Sequence, residues 1–253
     1  MTRNKITIKN EKEIDIMREG GDVLSRVLKI LSERAQIGTS TLELDQLAEK
    51  LIKEAGMEPA FKNYQGFPNT LCASINEEII HGIPKADRLL QDGDIIGLDL
   101  GLRHKGFYLD SAVTVGVGRL VPSARKIIQT ARGALLYGCS LIKPGLKLGD
   151  LGVAIDEFIR KQGFWAVREY CGHGIGKDLH EAPEILNFGE PGTGLELKEG
   201  MTLAIEPMVN EFDPWTKTAP DGWTAVTKKG GLSSHFEATV AVTREGCEIL
   251  TKV

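Results

Sequence analysis

Gly97-Leu-Asp99-Leu-Gly-Leu-Arg-His-Lys-Gly-Phe-Tyr-Leu-Asp110 reads as a β-hairpin with one carboxylate in each arm. Leu98 and Leu100 flank Asp99, Leu109 and Ala112 lie near Asp110, and Arg103-His104-Lys105-Gly106 supplies a polar, Gly-containing turn. With the turn centred between His104 and Lys105 and no bulge, Asp99 and Asp110 stand directly opposite, their Cβ atoms about 5 Å apart. Two like charges that close among apolar neighbours are unfavourable unless something neutralises them. A shared proton, an Arg or Lys, or a metal cluster would each serve.

Upstream of the hairpin, Asn10 with Glu13 and Ser40 with Glu43 form two capping-box signatures. The first opens a helix to about Glu33, with Met17, Leu24, Val27, Leu28 and Leu31 at helical spacing. The second opens a helix carrying Leu44, Leu47, Ala48, Leu51 and Ile52, stopped at Gly56. Residues 61–89 hold short strands and loops. Beyond the hairpin, Pro122 opens a third helix over about 123–141, Pro144-Gly145 breaks it, and a fourth runs to Gly163.

Helix, helix, strands thus occurs twice, which points to an internal repeat. Gly38, Gly56 and Gly93 recur as Gly145, Gly163 and Gly200, each at an offset of 107. At that offset Asp99 falls on Glu206. Asp110-Ser-Ala-Val-Thr-Val resembles Glu237-Ala-Thr-Val-Ala-Val at an offset of 127, so the second hairpin is expected to be 20 residues longer and to turn at Asp221-Gly222. The expected fold class is α+β. It comprises two pseudo-symmetric halves, about 11–118 and 119–253, in one domain.

The bulk properties exclude several functions. The chain has 253 residues, 42% of them hydrophobic, enough for a substantial core. Net charge is −4 and no basic tract stands out, which argues against nucleic acid as principal ligand. No apolar run approaches the ~18 residues of a membrane span, and the polar start has no leader-like apolar region. Cys72, Cys139, Cys171 and Cys247 are scattered, as expected of free thiols in a reducing, cytoplasmic setting.

The repeat brings Asp99, Asp110, Glu206 and Glu237 to one place. Four carboxylates cannot share one or two protons cheaply, and no Lys or Arg run matches their positions. Divalent metal is the economical answer, with two ions bridged by some of the carboxylates. His173, within Tyr170-Cys-Gly-His-Gly-Ile-Gly, is a candidate nitrogen ligand because the glycines allow close backbone approach; a structural histidine is the competing reading. This ligand set suits Mn²⁺, Fe²⁺ or Co²⁺ better than a closed structural zinc site.

In order and approximate spacing, Asp99, Asp110, His173, Glu206 and Glu237 resemble the five metal ligands of the methionine aminopeptidases. So do Cys72-Ala-Ser-Ile-Asn-Glu-Glu-Ile-Ile-His81-Gly-Ile-Pro, Gly172-His-Gly-Ile-Gly, Leu179-His180-Glu-Ala-Pro and Ile205-Glu206-Pro-Met. The resemblance covers nearly the whole chain. It implies the pita-bread fold, a central antiparallel sheet covered by two pairs of helices. The interval of 33 residues from His173 to Glu206 leaves no room for the type II insertion, and a zinc-binding extension is lacking, so the short type I form is expected.

That resemblance implies two divalent ions (Co, Mn, Fe or Zn). Asp99 would hold one, His173 and Glu206 the other, and Asp110 and Glu237 would bridge. Glu206 would also assist as base to the attacking water, and His180 would stabilise the oxyanion. His81, which by itself reads as a loop histidine, would assist the leaving amine. Phe61, Tyr64, Phe67, Cys72, Leu179 and Trp223 fall where the family lines its methionine pocket, although each could equally be core. Phe61, Phe67 and Leu179 stand where Cys, Tyr and Phe are usual, and Ala182 where Glu is usual.

The implied activity is removal of the initiator methionine from nascent chains with a small second residue. The enzyme would act as a cytoplasmic monomer transiently near the ribosome, without recognising nucleic acid or membrane. An Xaa-Pro aminopeptidase or prolidase shares fold and ligands but usually carries an N-terminal domain, and here the repeat begins near residue 11. A binding-only relative would have lost ligands, and all five are present.

Overall fold

The computed structural model describes residues 6–252; the polar start, over which no leader was read, lies partly outside them at residues 1–5. Both capping boxes close as expected. The Asn10 side chain accepts from the Glu13 N–H while the Glu13 carboxylate accepts from the Asn10 N–H, and Ser40 and Glu43 do the same. They open α1 (Glu11–Arg34) and α2 (Thr41–Glu54). Pro122 stands at the first turn of α3 (Pro122–Leu141), where its missing N–H costs nothing, and α4 spans Leu148–Lys161. No helix among the described residues is long and apolar enough to cross a membrane.

The first half adds β1 (Glu58–Pro59), β2 (Leu71–Ile75), β3 (Glu78–Ile80), β4 (Ile95–His104) and β5 (Phe107–Gly116). The second adds β6 (Trp165–Ala166), β7 (Gly172–Gly174), β8 (Glu181–Ile185), β9 (Thr202–Ile205) and β10 (Met208–Asn210). The last five strands are β11 (Thr216–Thr218), β12 (Ala225–Thr227), β13 (Ser233–His235), β14 (Glu237–Thr243) and β15 (Gly246–Ile249). The main sheet is antiparallel in the order β1-β4-β5-β14-β9-β7-β8, with β2 also on β4 and β15 also on β14.

The repeat is visible in the backbone. Gly38 and Gly145, Gly56 and Gly163, and Gly93 and Gly200 all take left-handed φ, between 73° and 96°. Gly38 N–H donates to the Leu90 carbonyl and Gly145 N–H to that of Leu197, the same bond in both halves. Each helix pair buries its own core. Leu24, Leu31, Leu44 and Ile52 of α1 and α2 meet Leu98, Leu100 and Leu109; Ile127, Leu135, Leu151 and Ile155 of α3 and α4 meet Leu203, Ile205 and Val240.

Side chains alternate along a strand, so seating Leu98, Leu100 and Leu102 under the helices turns Asp99 to the opposite face. Each such leucine contributes about 1.5–3 kcal/mol, which together offsets the several kcal/mol that burying a carboxylate costs.

The hairpin register differs from the sequence expectation. Asp99 opposes Ala112, and Asp110 opposes Gly101. The turn is centred on Lys105-Gly106, with φ of 46° and 85°, and His104 pairs with Phe107. A two-residue hairpin turn of this kind needs left-handed backbone at both central positions. Centring it on His104-Lys105 would place His104 there and leave Gly106 unused. The displacement is two residues and the ladder carries no bulge, so both carboxylates keep the same face and sit diagonally instead of directly opposite.

The second hairpin keeps one register throughout. Thr202 pairs with Ala241, Met208 with His235 and Thr218 with Ala225, which places Glu206 opposite Glu237 and Asp221-Gly222 at the tip, as expected. The sequence match of Asp110 with Glu237 is corrected, however. Ile95 pairs with Gly116 as Thr202 pairs with Ala241, which makes Ala112 the counterpart of Glu237. The alternating apolar pattern of both strands tolerates a slide by two.

The halves join where β5 meets β14, through Glu237 with Ala112 and Ala238 with Ser111. Hydroxyls extend the seam. Ser111 Oγ donates to the Glu237 carbonyl, and Thr239 Oγ1 both accepts from Asp110 N–H and donates to the Asp110 carbonyl.

Candidate active site

Asp99, Asp110, His173, Glu206 and Glu237 line a single cavity of about 200 Å³ together with His81, His180, Phe61, Tyr64, Phe67, Cys72, Leu179 and Trp223. Every residue assigned to the site from sequence is therefore brought together. Gln65 and Ile80 also line the cavity, and no Lys or Arg among the described residues lines it.

The four carboxylates are buried, and Asp99 Oδ1, Asp110 Oδ1 and Glu237 Oε1 make no hydrogen bond among the described residues. Burial pushes Asp99 up to about 7. Burial, then the neighbouring carboxylate charges, pushes Asp110, Glu206 and Glu237 well above the ordinary carboxylate range. Ligand atoms of Asp110, His173 and Glu237 lie within 4.8 Å of one another. Orphaned buried oxygens with no Lys or Arg beside them among the described residues, converging with an imidazole nitrogen, fit divalent cations. Asp99 and Glu206 complete the acidic wall, with Glu206 Oε1 3.6 Å from His173 Nε2.

His173 sits mid-way in β7, between Gly172 and Gly174. Its Nδ1 is 2.9 Å from the Gly174 carbonyl oxygen. A carbonyl only accepts, so the bond places a proton on Nδ1, and the neutral imidazole with that tautomer would present Nε2 to a metal. A Cβ on Gly172 would lie 2.3 Å from the Ala204 carbonyl oxygen, and one on Gly174 would lie 2.1 Å from that of Ala182. Neither backbone neighbour can give way. Gly174→Ala is expected to cost about 1–3 kcal/mol of stability and to weaken divalent-ion binding, read from denaturant midpoints with and without Mn²⁺; an unchanged midpoint would contradict this packing.

The Tyr64 hydroxyl lies 2.8 Å from His180 Nδ1, so Tyr64, placed from sequence in the apolar pocket, also orients a histidine. The His180 and His173 ring centroids are 4.4 Å apart. His81 holds a left-handed φ of 59°, a conformation uncommon for residues other than glycine. Burial lowers its pKa, and Tyr170 packs edge-on against its ring at 5.8 Å. Phe67 and Trp223 meet edge to face at 5.3 Å, and with Phe61, Cys72 and Leu179 they give the cavity an apolar, polarisable wall suited to a thioether.

Sequence reasoning missed His235. It is 3% exposed, with Nε2 3.9 Å from Glu206 Oε2 and 4.0 Å from Glu237 Oε2. Burial, then the nearby His81, holds its pKa down at about 3. The signal was present in Ser234-His-Phe-Glu237, because residues two apart on a strand share a face. Tyr170, whose ring packs on His81, carried no signal of its own in the sequence.

The profile of Metallopeptidase family M24 matches residues 15–244. Methionine aminopeptidase 1 of Bacillus subtilis strain 168 is 44% identical over 248 residues, 98% of this chain and 100% of that protein. The chain belongs to the methionine aminopeptidases of metallopeptidase family M24. The methionine aminopeptidase of Escherichia coli K12 is 39% identical, covering 97% of this chain and 94% of its own length. The crystal structure of methionine aminopeptidase from Thermotoga maritima superposes with a TM-score of 0.97 at 40% identity, over 98% of this chain and 100% of that one. A prolidase from Pyrococcus furiosus shares the pita-bread fold at a TM-score of 0.79 and 26% identity, over 97% of this chain and 65% of that one.

Proposed function

We propose that this protein is a dinuclear metalloaminopeptidase that removes the N-terminal methionine of nascent chains, preferring a small second residue. The observation that carries the reading is the adjacency, in one cavity, of the Asp110–His173–Glu237 cluster and an apolar wall containing Cys72 and Phe67. Both halves contribute carboxylates, so the chain acts as a single catalytic unit. Asp99, Asp110, His173, Glu206 and Glu237 would hold two divalent ions, of which Mn²⁺, Fe²⁺ and Co²⁺ suit the oxygen-rich set and Zn²⁺ less so. When bound, the ions supply Lewis acidity at the scissile carbonyl and lower the pKa of the attacking water.

The protein's own groups do the rest. Phe61, Phe67, Cys72, Leu179 and Trp223 grip the methionine side chain. Glu206 accepts the water proton. The Tyr64 hydroxyl donates to His180 Nδ1, which leaves the proton on Nε2 to stabilise the developing oxyanion. His81, held by its backbone and by Tyr170, serves the departing amine. Acidic composition and four free cysteines support a cytoplasmic setting, where nascent chains are met beside the ribosome by a monomer.

His180→Ala is expected to lower kcat on a Met-Ala-x peptide about 10²–10³-fold while Mn²⁺ affinity stays unchanged, and Tyr64→Phe is expected to lower it less. Retained kcat would remove His180 from that role. The same assay run on Leu-Ala-x and Xaa-Pro peptides tests specificity: equal rates on Met and Leu would contradict a methionine pocket, and preference for Xaa-Pro would favour the prolidase reading that the shared fold admits.

A further inference from the structure

His235 does not line the cavity. It faces Glu206 and Glu237, with Nε2 3.9 Å from Glu206 Oε2 and 4.0 Å from Glu237 Oε2. Its backbone is pinned twice, since His235 N–H donates to Thr114 Oγ1 at 2.9 Å and the Thr114 hydroxyl donates back to the His235 carbonyl at 2.8 Å. Antiparallel pairing with Met208 holds it from the other side. Phe236, one residue on, is buried in the core under α3 and α4, which locks the alternation that points His235 inward. Buried Nε2 has no hydrogen-bond partner among the described residues, a costly condition unless the site supplies one in its working state.

The two oxygens of Glu206 divide between histidines: Oε1 faces His173 Nε2 at 3.6 Å and Oε2 faces His235 Nε2 at 3.9 Å. Neither separation is a hydrogen bond. We propose that His235 is a positioning residue of the metal centre, whose Nε2–H donates to Glu206 once that carboxylate is drawn onto an ion through Oε1. A shift of the carboxylate by about 1 Å closes the contact to hydrogen-bond length. The donor fixes the carboxylate's orientation and compensates the charge left on Oε2, as outer groups do around metal sites. The inference rests on the proposed metal centre and adds to it a residue outside the five-ligand set.

The test compares His235→Leu, which removes the donor at similar volume, with His235→Gln, which restores an N–H donor. Mn²⁺ affinity is measured by calorimetry, with the visible spectrum of the Co²⁺ form. His235→Leu is expected to bind Mn²⁺ about 10–100-fold more weakly, with kcat reduced and KM nearly unchanged, and His235→Gln to recover most of the loss. Parent-like Mn²⁺ affinity and Co²⁺ spectrum in His235→Leu would overturn the role while leaving the metal centre standing. Absence of Mn²⁺ and Co²⁺ binding by the parent would instead overturn the metal centre and this role with it.

Should His235→Leu fail to fold, the parent decides. In ¹⁵N-histidine-labelled protein, assigned with His235→Gln, added Zn²⁺ is expected to move the His235 Nε2–H proton downfield. An unmoved proton, or its loss through direct ligation, would overturn the proposal.

Discussion

Protein stripped of divalent ions is expected to lose Met-Ala-x hydrolysis entirely and to regain it on addition of Mn²⁺, Co²⁺ or Fe²⁺. The expectation follows from the composition of the cavity wall. Asp99, Asp110, Glu206 and Glu237 face it without a Lys or Arg among the described residues of the wall, so beyond its histidines that wall offers no electrophile to polarise a carbonyl. His180 can stabilise an oxyanion but cannot generate the nucleophile.

Asp110 and Glu237 contribute two of the three converging ligand atoms. Asp110→Asn or Glu237→Gln should therefore lower kcat roughly a thousandfold even in excess metal, about 4 kcal/mol of transition-state stabilisation. Both substitutions are nearly isosteric and relieve buried like-charge repulsion, so the metal-free fold should be as stable as the parent or more so. Loss of activity with retained or increased thermal stability separates a ligand from a structural role. Full activity of chelated protein, or inactivity with every divalent ion tried, would sink the enzyme reading.

The metal-free protein should also become less stable as pH rises. Asp99 is held at about 7 by burial, and its three partners lie well above the carboxylate range. In the unfolded chain these groups release protons near their ordinary values of about 4. Between about pH 4 and 7, and beyond, the folded state therefore binds more protons than the unfolded state, so stability falls with rising pH. The contribution is fully present below about pH 4 and is lost as pH climbs through the folded values. Its size is on the order of a few kcal/mol, which for a chain of this length is roughly 5–10 °C in Tm.

Divalent ions should reverse the trend, because they replace the protons. At a hundred times Kd they add about 2.7 kcal/mol, and at one fixed Mn²⁺ concentration the gain should be larger at pH 8 than at pH 5, because Kd falls as the carboxylates lose their protons. Calorimetric Tm values at both pH values, with EDTA and with Mn²⁺, make the comparison, and Asp99→Asn should flatten the metal-free dependence. A metal-free Tm that rises with pH, or a metal-induced shift independent of pH, would contradict a clustered set of buried carboxylates.

Much of the fold was legible because it depends on local chemistry. Asn10 and Ser40 announce α1 and α2 through capping boxes that need only four residues each. The three glycines repeated at one offset announce the pseudo-symmetry, because left-handed backbone positions accept few other residues. Tertiary packing decided what is non-local. Asp99 and Asp110 were placed two residues out of register because a strand pattern of period 2 looks the same after a slide by two. What settled it was the demand of a tight turn for left-handed backbone at Lys105 and Gly106.

The same limit hid His235. One strand names its neighbour Glu237, but Glu206 lies across the sheet, and the orphaned Nε2 between them exists only once β10 and β13 have paired. The sequence by itself determined the family, the cluster of four carboxylates and the two-halved architecture, since these reside in residue types and their spacing. The tertiary structure alone decided the hairpin register, the bond from His173 to the Gly174 carbonyl, the tie from Tyr64 to His180 and the imidazole beside Glu206 and Glu237. Each of these is set by a hydrogen-bond partner or a close approach that exists only in the folded chain.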